Sequence, residues 1–212
     1  MEKELSERLQ AGAASVGVAL SASQLVSLLR FQSELLTWNR KINLTAITEP
    51  MEVIEKHLID SLAASPCLRN AKEVLDLGAG GGLPSFPLAI LYPGIRFTLV
   101  DTVAKKVGFL KAAAAVLKLT NLRAIHARAG GKPAEEGLPR ADLVLCRAFM
   151  EPRSFLGLAQ AYLEPGGHAL LMLGGPTELP APVPAPFSLL EKKVFKLPFS
   201  GANRAIVVLT RG

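Results

Sequence analysis

The residues with the clearest chemical potential are one acid and three glycines at alternating positions: Asp76, Gly78, Gly80 and Gly82. An apolar segment, Glu73–Leu77, leads into the glycines and is predicted to be a buried strand. A second such segment, Arg96–Val100, is followed by Asp101, 25 residues after Asp76 (101 − 76). An acid at the carboxyl end of that strand can bind both hydroxyls of a ribose. The order strand, glycine loop, helix, strand predicts the nucleotide-binding half of a doubly wound sheet.

The glycine spacing separates two classes of cofactor. A dinucleotide fingerprint, G-x-G-x-x-G, needs a third glycine for close helix–strand packing, and Leu83 stands at that position. The pattern D-x-G-x-G-x-G instead resembles that of S-adenosylmethionine-dependent methyltransferases. That cofactor has no pyrophosphate, and residues without side chains let its methionyl tail and adenosine come close. Ser85 is predicted to cap the helix that follows. The alternative interpretation is a glycine-rich turn of any α/β enzyme.

Five segments in a fixed order give a more specific resemblance: WNRKINLTAI, HLIDSL, DLGAGGGLPSFPLAI, LVDTVAKKVGFL and CRAF. Together they resemble the RsmG family, also called GidB, over about residues 20–172. The resemblance implies an α/β fold, a Rossmann-like class I S-adenosylmethionine-dependent methyltransferase sheet of seven strands with the last antiparallel, and an N-terminal helical extension. It also implies methyl transfer to N7 of a guanine in a loop of bacterial 16S rRNA, free or in the small ribosomal subunit.

The resemblance also implies a set of cofactor-binding residues: Gly78, Gly80, Gly82, Leu83, Asp101, Ala129, Gly130 and Arg147. The sequence departs from the family at two places. Gly130 stands where an acid would pair with the adenine amino group, and Leu173 stands where the family has lysine. Arg147 follows the predicted strand Leu143–Cys146, and its guanidinium is expected to hold the methionyl carboxylate or an RNA phosphate.

No residue is assigned as catalytic with certainty; the candidates are Arg147, His57 and Asp60. His57 and Asp60 lie three residues apart on a helix predicted over about residues 50–64, which is expected at the rim of the site. Alternatively, they only hydrogen-bond that helix to the sheet. Guanine N7 is a lone pair that needs no general base, so catalysis by positioning requires no Ser/His/Asp triad, reactive cysteine or metal ligand.

The charge balance points to an anionic partner. The net charge is +6 and the sequence pI is about 9.5. The RNA-binding candidates are Asn43, Lys192, Lys193, Lys196 and Arg204. Because N7 faces the deep, narrow groove of A-form RNA, an unpaired guanine is the expected target.

The remaining elements are predicted to surround this unit. Residues 2–18 and 22–38 read as helices, so residues 1–65 are expected to form a helical cap on a core of residues 66–212, together one structural domain. Further strands are predicted at Leu122–Ala127, at His168–Leu173 and in a hairpin that turns at Ser200-Gly201. A helix is predicted over Phe155–Leu163, and the proline-rich residues 176–186 are expected to form an exposed loop.

Composition limits the remaining possibilities. Half of the 212 residues are apolar, which suits a packed core. Cys67 and Cys146 lack metal or disulfide spacing and are expected to be buried thiols in a reducing cytoplasm. The charged N-terminus does not resemble a signal peptide, and no apolar run reaches membrane-spanning length. We expect a monomer. The rival functions are a methyltransferase acting on a small molecule or protein, and a non-catalytic module that binds RNA or a nucleotide.

Overall fold

The computed structural model describes residues 2–68, 70–147, 150–175 and 182–212. Within them, seven strands form one sheet in the order β3-β2-β1-β4-β5-β7-β6. The strands are β1 (Glu73–Leu77), β2 (Arg96–Asp101), β3 (Leu122–His126), β4 (Ala141–Arg147), β5 (Leu163–Gly174), β6 (Phe187–Lys196) and β7 (Asn203–Arg211). Neighbours from β3 to β5 are parallel, whereas β7 is antiparallel to both β5 and β6. The predicted α/β sheet and its antiparallel strand are confirmed.

The helices connect and cover these strands. They are α1 (Glu2–Ser15), α2 (Ala22–Ile42), α3 (Pro50–Val53), α4 (Asp60–Leu62), α5 (Ser85–Leu91), α6 (Ala104–Val116), α7 (Pro133–Glu136) and α8 (Pro152–Ala159). Between α3 and α4 the chain continues as a π-helix over Ile54–Ile59. A π-helical turn shifts the register of the side chains that follow it. The segment from α3 to α4 is therefore helical throughout, but its faces do not follow a 3.6-residue period.

Two apolar layers enclose the sheet. On one face α1, α2, the π-helix, α5 and α6 share a single core, in which the Phe31 and Phe86 rings stack with centroids 4.7 Å apart. On the other face α8 and the segment after it contribute Phe155 and Tyr162, which are both fully buried. The N-terminal helices thus cover one face of the sheet beside the glycine loop. The division at residues 65 and 66 stays a prediction.

Several local predictions differ from the structure. Helix α1 ends at Ser15 and not at residue 18, and α2 continues to Ile42 and does not end at residue 38. Ser85 is not an N-cap: Pro84 holds that position, and Ser85 begins α5. The predicted helix Phe155–Leu163 is instead α8, which ends at Ala159. Strand β5 begins at Leu163, because Leu163 pairs with Ala141 before a register shift leads into the rest of the strand. Residues 176–181 of the predicted proline-rich loop lie outside the described residues.

Candidate active site

A cavity of about 410 Å³ opens at the carboxyl ends of β1, β2 and β4. In a doubly wound sheet, ligands bind at this edge. Its lining includes five predicted cofactor residues, Gly78, Gly80, Leu83, Asp101 and Arg147, together with the catalytic candidate His57. Leu44 and Thr45 close it from the side of the N-terminal helices. The fold therefore brings residues from β1, β2, β4, the π-helix and the loop after α2 to one place.

The glycine loop is held by backbone bonds to the end of β2. The amides of Gly78 and Ala79 both donate to the carbonyl of Val100, at 2.9 and 3.0 Å. Gly80 has φ of +54°, a conformation that side chains disfavour, and a Cβ there would meet only the Gly78 carbonyl at 3.9 Å. Gly82 differs, since a Cβ would lie 2.4 Å from a ring carbon of Phe86. Gly80 thus keeps the cavity open, whereas Gly82 permits packing beneath the loop.

Asp101 organises the loop as well as lining the cavity. Its side chain is buried; Oδ2 accepts from the amide of Gly80 at 2.9 Å, and Oδ1 accepts from the amide of Val103 at 2.8 Å. Each carboxylate oxygen can accept more than one hydrogen bond, so both retain capacity for a ligand hydroxyl. The ribose-binding role of Asp101 stays a prediction.

Asp76 lies beneath the loop rather than in the cavity. It is buried, and the hydroxyl of Ser85 donates to Oδ2 at 2.5 Å. Burial raises the pKa of Asp76 to about 7; the Ser85 hydrogen bond opposes this rise and the negative charge of Asp101 adds to it. Sequence analysis singled out Asp76 as part of the motif but not as a group that titrates near neutrality.

The wall formed by Leu44 and Thr45, which adjoins Gly81 of the glycine loop, depends on Asn39, a residue that sequence analysis did not identify. Asn39 is buried near the end of α2, and its Oδ1 accepts from the amides of Leu44 and Thr45 at 2.6 and 2.9 Å. Its Nδ2 donates to the Thr45 carbonyl at 2.9 Å. Asn43, the RNA candidate, is the exposed left-handed C-cap of α2 with φ of 49°. The signal that was available is a second asparagine four residues upstream in the same WNRKINLT segment.

Arg147 meets three neighbouring groups on the helical segment from α3 to α4: two belong to the π-helix, and the third is Asp60 at the start of α4. The Nη2 of Arg147 lies 2.6 Å from the carbonyl oxygen of Lys56 and 3.0 Å from Oδ2 of Asp60. It also lies 3.2 Å from Nδ1 of His57. Arg204 reaches the same carboxylate from β7, with Nε 3.3 Å from Oδ2 of Asp60. A buried carboxylate thus faces two guanidinium groups beside the cavity.

His57 connects this cluster to the opposite wall. Its Nε2 is 2.6 Å from the Thr45 hydroxyl, and its Nδ1 is 3.0 Å from the Lys56 carbonyl oxygen. Burial, followed by the positive charge of Arg147, lowers the pKa of His57 to about 4. The imidazole is therefore neutral at pH 7 and holds Thr45 and the π-helix in place.

The other predicted residues lie away from the cavity lining. Ala129 and Gly130 are in the loop after β3, where Gly130 is exposed. Lys192, Lys193 and Lys196 are exposed on β6, an outer strand of the sheet. Three strand spacings separate β6 from β4, or about 14 Å at 4.8 Å each. Lys196 ends β6 at the cavity edge of the sheet because β6 runs parallel to β4.

Within the described part of the chain, no group of three or more His, Cys, Asp or Glu side chains is placed to hold a metal ion. Among the described helices, none combines the length and apolar character needed to cross a bilayer.

The chain is similar to known proteins in both sequence and fold. A family model described as rRNA small subunit methyltransferase G, GidB, matches residues 24–182. The ribosomal RNA small subunit methyltransferase G of Myxococcus xanthus strain DK1622 is 48% identical over 209 residues, which cover 97% of this chain and 96% of that protein. The same-named protein of Geobacter sp. strain M21 is 40% identical over the full length of both chains. The structure of coclaurine N-methyltransferase superposes with a TM-score of 0.59 at 10% identity, covering 100% of this chain and 95% of that one. At that identity the likeness concerns the fold.

Proposed function

The chain belongs to the rRNA small subunit methyltransferase G (GidB) family, and we propose that it transfers a methyl group from S-adenosylmethionine to N7 of a guanine in 16S rRNA. The observation that carries this proposal is the cavity at the carboxyl edge, which has the glycine loop and Asp101 on one side and Arg147 on the other. The proposal includes a cytoplasmic, monomeric enzyme with 16S rRNA or the small ribosomal subunit as its partner.

The residues around the cavity fit the proposed cofactor. Asp101 offers both carboxylate oxygens to a ribose, Gly78 lines the cavity, and Gly80 leaves open the space that a side chain would fill. Arg147 would bind the methionyl carboxylate, and Leu83 also lines the cavity. When bound, S-adenosylmethionine supplies a methyl group on a sulfonium, which makes that carbon electrophilic.

The protein's contribution is orientation. Guanine N7 would accept the methyl group through its own lone pair, so the residues around the cavity would have to hold that atom in line with the methyl group. No proton needs to be removed from the nucleophile, so the neutral His57 suits a positioning role better than that of a general base. The Thr45 loop and Arg147, joined through His57, would fix the distance between cofactor and base.

RNA would bind at the carboxyl edge of the sheet, where the cavity opens. Lys196 lies at that edge, while Lys192 and Lys193 extend along the outer strand. The Nε of Arg204 is directed to Asp60, so Arg204 would affect RNA binding by holding the Asp60 cluster in place and not by direct contact with RNA. Asn43 is exposed next to the Leu44 and Thr45 wall, where an incoming base would pass. The target would be an unpaired guanine, because N7 in a duplex faces the narrow groove.

The test combines binding with methyl transfer. Calorimetry should show S-adenosylmethionine binding, and labelled cofactor should mark N7 of one guanine in unmodified small subunits or naked 16S rRNA. Arg147→Lys should weaken cofactor binding, because an ammonium cannot reproduce a paired set of donors. Cofactor binding without transfer to either RNA substrate would favour another substrate, and no cofactor binding would refute the proposal.

A further inference from the structure

The loop after β3 has three successive amides bound by two side chains. The amides of Gly130 and Lys132 both donate to Oε1 of Glu136, at 2.8 and 3.2 Å. The intervening amide of Gly131 donates to the hydroxyl of Tyr162 at 2.9 Å. That hydroxyl in turn donates to Oε2 of Glu136. One carboxylate and one phenol therefore fix the main chain of residues 130–132.

Both side chains have environments that preserve this network. The ring of Tyr162 is fully buried, and burial together with the hydrogen bond to Glu136 raises the pKa of Tyr162 to about 12. Glu136 is partly exposed; burial, the largest single influence, raises its pKa, but hydrogen bonds from Tyr162, Gly130 and Lys132 together outweigh burial and lower the pKa. The phenol accordingly remains protonated and the carboxylate remains charged across the neutral range.

Glu136 also occupies the space where a side chain at position 130 would begin. A Cβ on Gly130 would lie 3.0 Å from Oε1 of Glu136. The loop therefore presents main chain at this point, and its amides face Glu136 and Tyr162. Because Glu136 and Tyr162 bind the amides of residues 130–132, they also restrict the directions in which the carbonyl groups of this loop can point.

The position of this loop follows from the strand order. Asp101 ends β2 and Arg147 ends β4, on either side of β1. Asp101 pairs in register with His126, and the Ala127 amide donates to the Asp101 carbonyl at 3.3 Å. A nucleoside whose ribose binds Asp101, and whose 5′ substituent extends toward Arg147, places its base on the β3 side. The loop held by Glu136 and Tyr162 is the adjoining main chain there.

We propose that Glu136 and Tyr162 are positioning residues for a 6-aminopurine: they orient the Ala129-Gly130 main chain so that a carbonyl accepts a hydrogen bond from the exocyclic amino group. The inference rests on the proposed cofactor, since S-adenosylmethionine carries that base. It assigns a role to two side chains 26 residues apart that act through the loop and not by contact with the base.

The test measures base preference in binding, without turnover. Calorimetry would compare S-adenosylhomocysteine with its analogue in which hydrogen replaces the 6-amino group, so that the purine keeps N1 as an acceptor but cannot donate at position 6. Wild-type protein should prefer the adenine form about tenfold or more, since one hydrogen bond distinguishes the two. Glu136→Ala and Tyr162→Phe should reduce this preference toward unity, mainly by weakening the adenine form.

Glu135→Ala is the matched control, because Glu135 is the adjacent acid and its Oε2 instead pairs with Nζ of Lys132 at 3.1 Å. It should keep the wild-type preference. The ratio of affinities is insensitive to a general loss of folded protein, and Glu136→Ala removes a partly exposed side chain, so it carries the test if Tyr162→Phe fails to fold. A tenfold preference retained in Glu136→Ala would overturn the inference. A wild-type protein that binds both ligands equally would also overturn it, whereas failure to bind either ligand would refute the proposed function itself.

Discussion

Replacing Asp76 by asparagine should change how the stability of the protein depends on pH. Asp76 is buried beneath the glycine loop, 2.5 Å from the Ser85 hydroxyl, and burial raises its pKa to about 7 from an ordinary value of 3.8. The folded protein therefore holds this proton more tightly than the unfolded chain does. Between these two pH values the folded state binds more protons, and its stability falls as the pH rises.

The difference between the folded and unfolded pKa of Asp76 sets the sign and size of the change in stability with pH. Protonation of Asp76 stabilises the fold fully below pH 3.8, and this contribution disappears as the pH rises through about 7. A difference of about three in pKa corresponds to roughly 4 kcal/mol, at about 1.4 kcal/mol for each tenfold change in proton affinity. Between pH 5 and pH 8 the loss should be roughly 2–3 kcal/mol. Asparagine carries no titrating proton, so the variant should lack this slope.

Urea denaturation of both proteins at intervals from pH 5 to pH 8 measures the effect. The difference between the two profiles isolates Asp76, which matters because His57 acts in the opposite direction. Its pKa is lowered to about 4, so its contribution is present above pH 6.5 and is lost as the pH falls toward 4. Ser85→Ala keeps the carboxyl group but removes a hydrogen bond that lowers the pKa, so its slope should persist to higher pH. Parallel profiles for wild type and Asp76→Asn would refute the reasoning.

Three further outcomes are expected. Asp60→Asn should lower the free energy of unfolding in denaturant by about 3–5 kcal/mol, because it leaves two largely buried guanidinium groups without their carboxylate. The control Glu52→Gln, on the exposed surface of the same helical segment, should lower it by less than about 1 kcal/mol. Equal losses would contradict a structural role for the Asp60 carboxylate between the two arginines. Asp101→Ala should weaken cofactor binding in calorimetry by about 1–3 kcal/mol, and an unchanged affinity would remove Asp101 from the site. Changing Lys192, Lys193 and Lys196 together to alanine should weaken binding to small subunits and flatten its salt dependence without altering cofactor affinity, and normal methylation at every salt concentration would mean that β6 is only a solvated surface.

The parts of the site that sequence predicted are those encoded locally. The glycine loop, the strand before it and Asp101 lie within one strand–loop–helix–strand unit. The spacing of its glycines and of Asp101 along the sequence is enough to predict their arrangement. The sheet was predictable for the same reason, since each buried strand appears as a short apolar run. Arg147 could be placed at a strand end, and the structure puts it in the cavity wall.

The remainder depends on contacts between distant segments. Asp60 meets Arg147 across 87 positions, and Glu55 accepts hydrogen bonds from the amides of Phe199 and Ser200, up to 145 positions away. The π-helix cannot be read from a 3.6-residue pattern, although it determines which way His57 and Asp60 face. Sequence analysis missed Glu136 because an acid on a four-residue helix usually faces solvent. Its hydrogen bond to the Gly130 amide becomes apparent only in the structure.

The charges around the cavity are distributed unevenly, and this bears on how the proposed cofactor would be oriented. At the β4 end, two guanidinium groups face the single carboxylate of Asp60 while His57 is neutral, which leaves an excess of positive charge. At the β2 end, the carboxylate of Asp101 and the side chain of Lys106 both line the cavity, so charges of opposite sign are present there. An anionic group is therefore favoured near Arg147, and a cation is repelled there because the surrounding burial weakens screening. A methionyl carboxylate held at Arg147 would therefore have the favoured charge for that end of the cavity, and the cationic part of the cofactor would be favoured away from the two guanidinium groups.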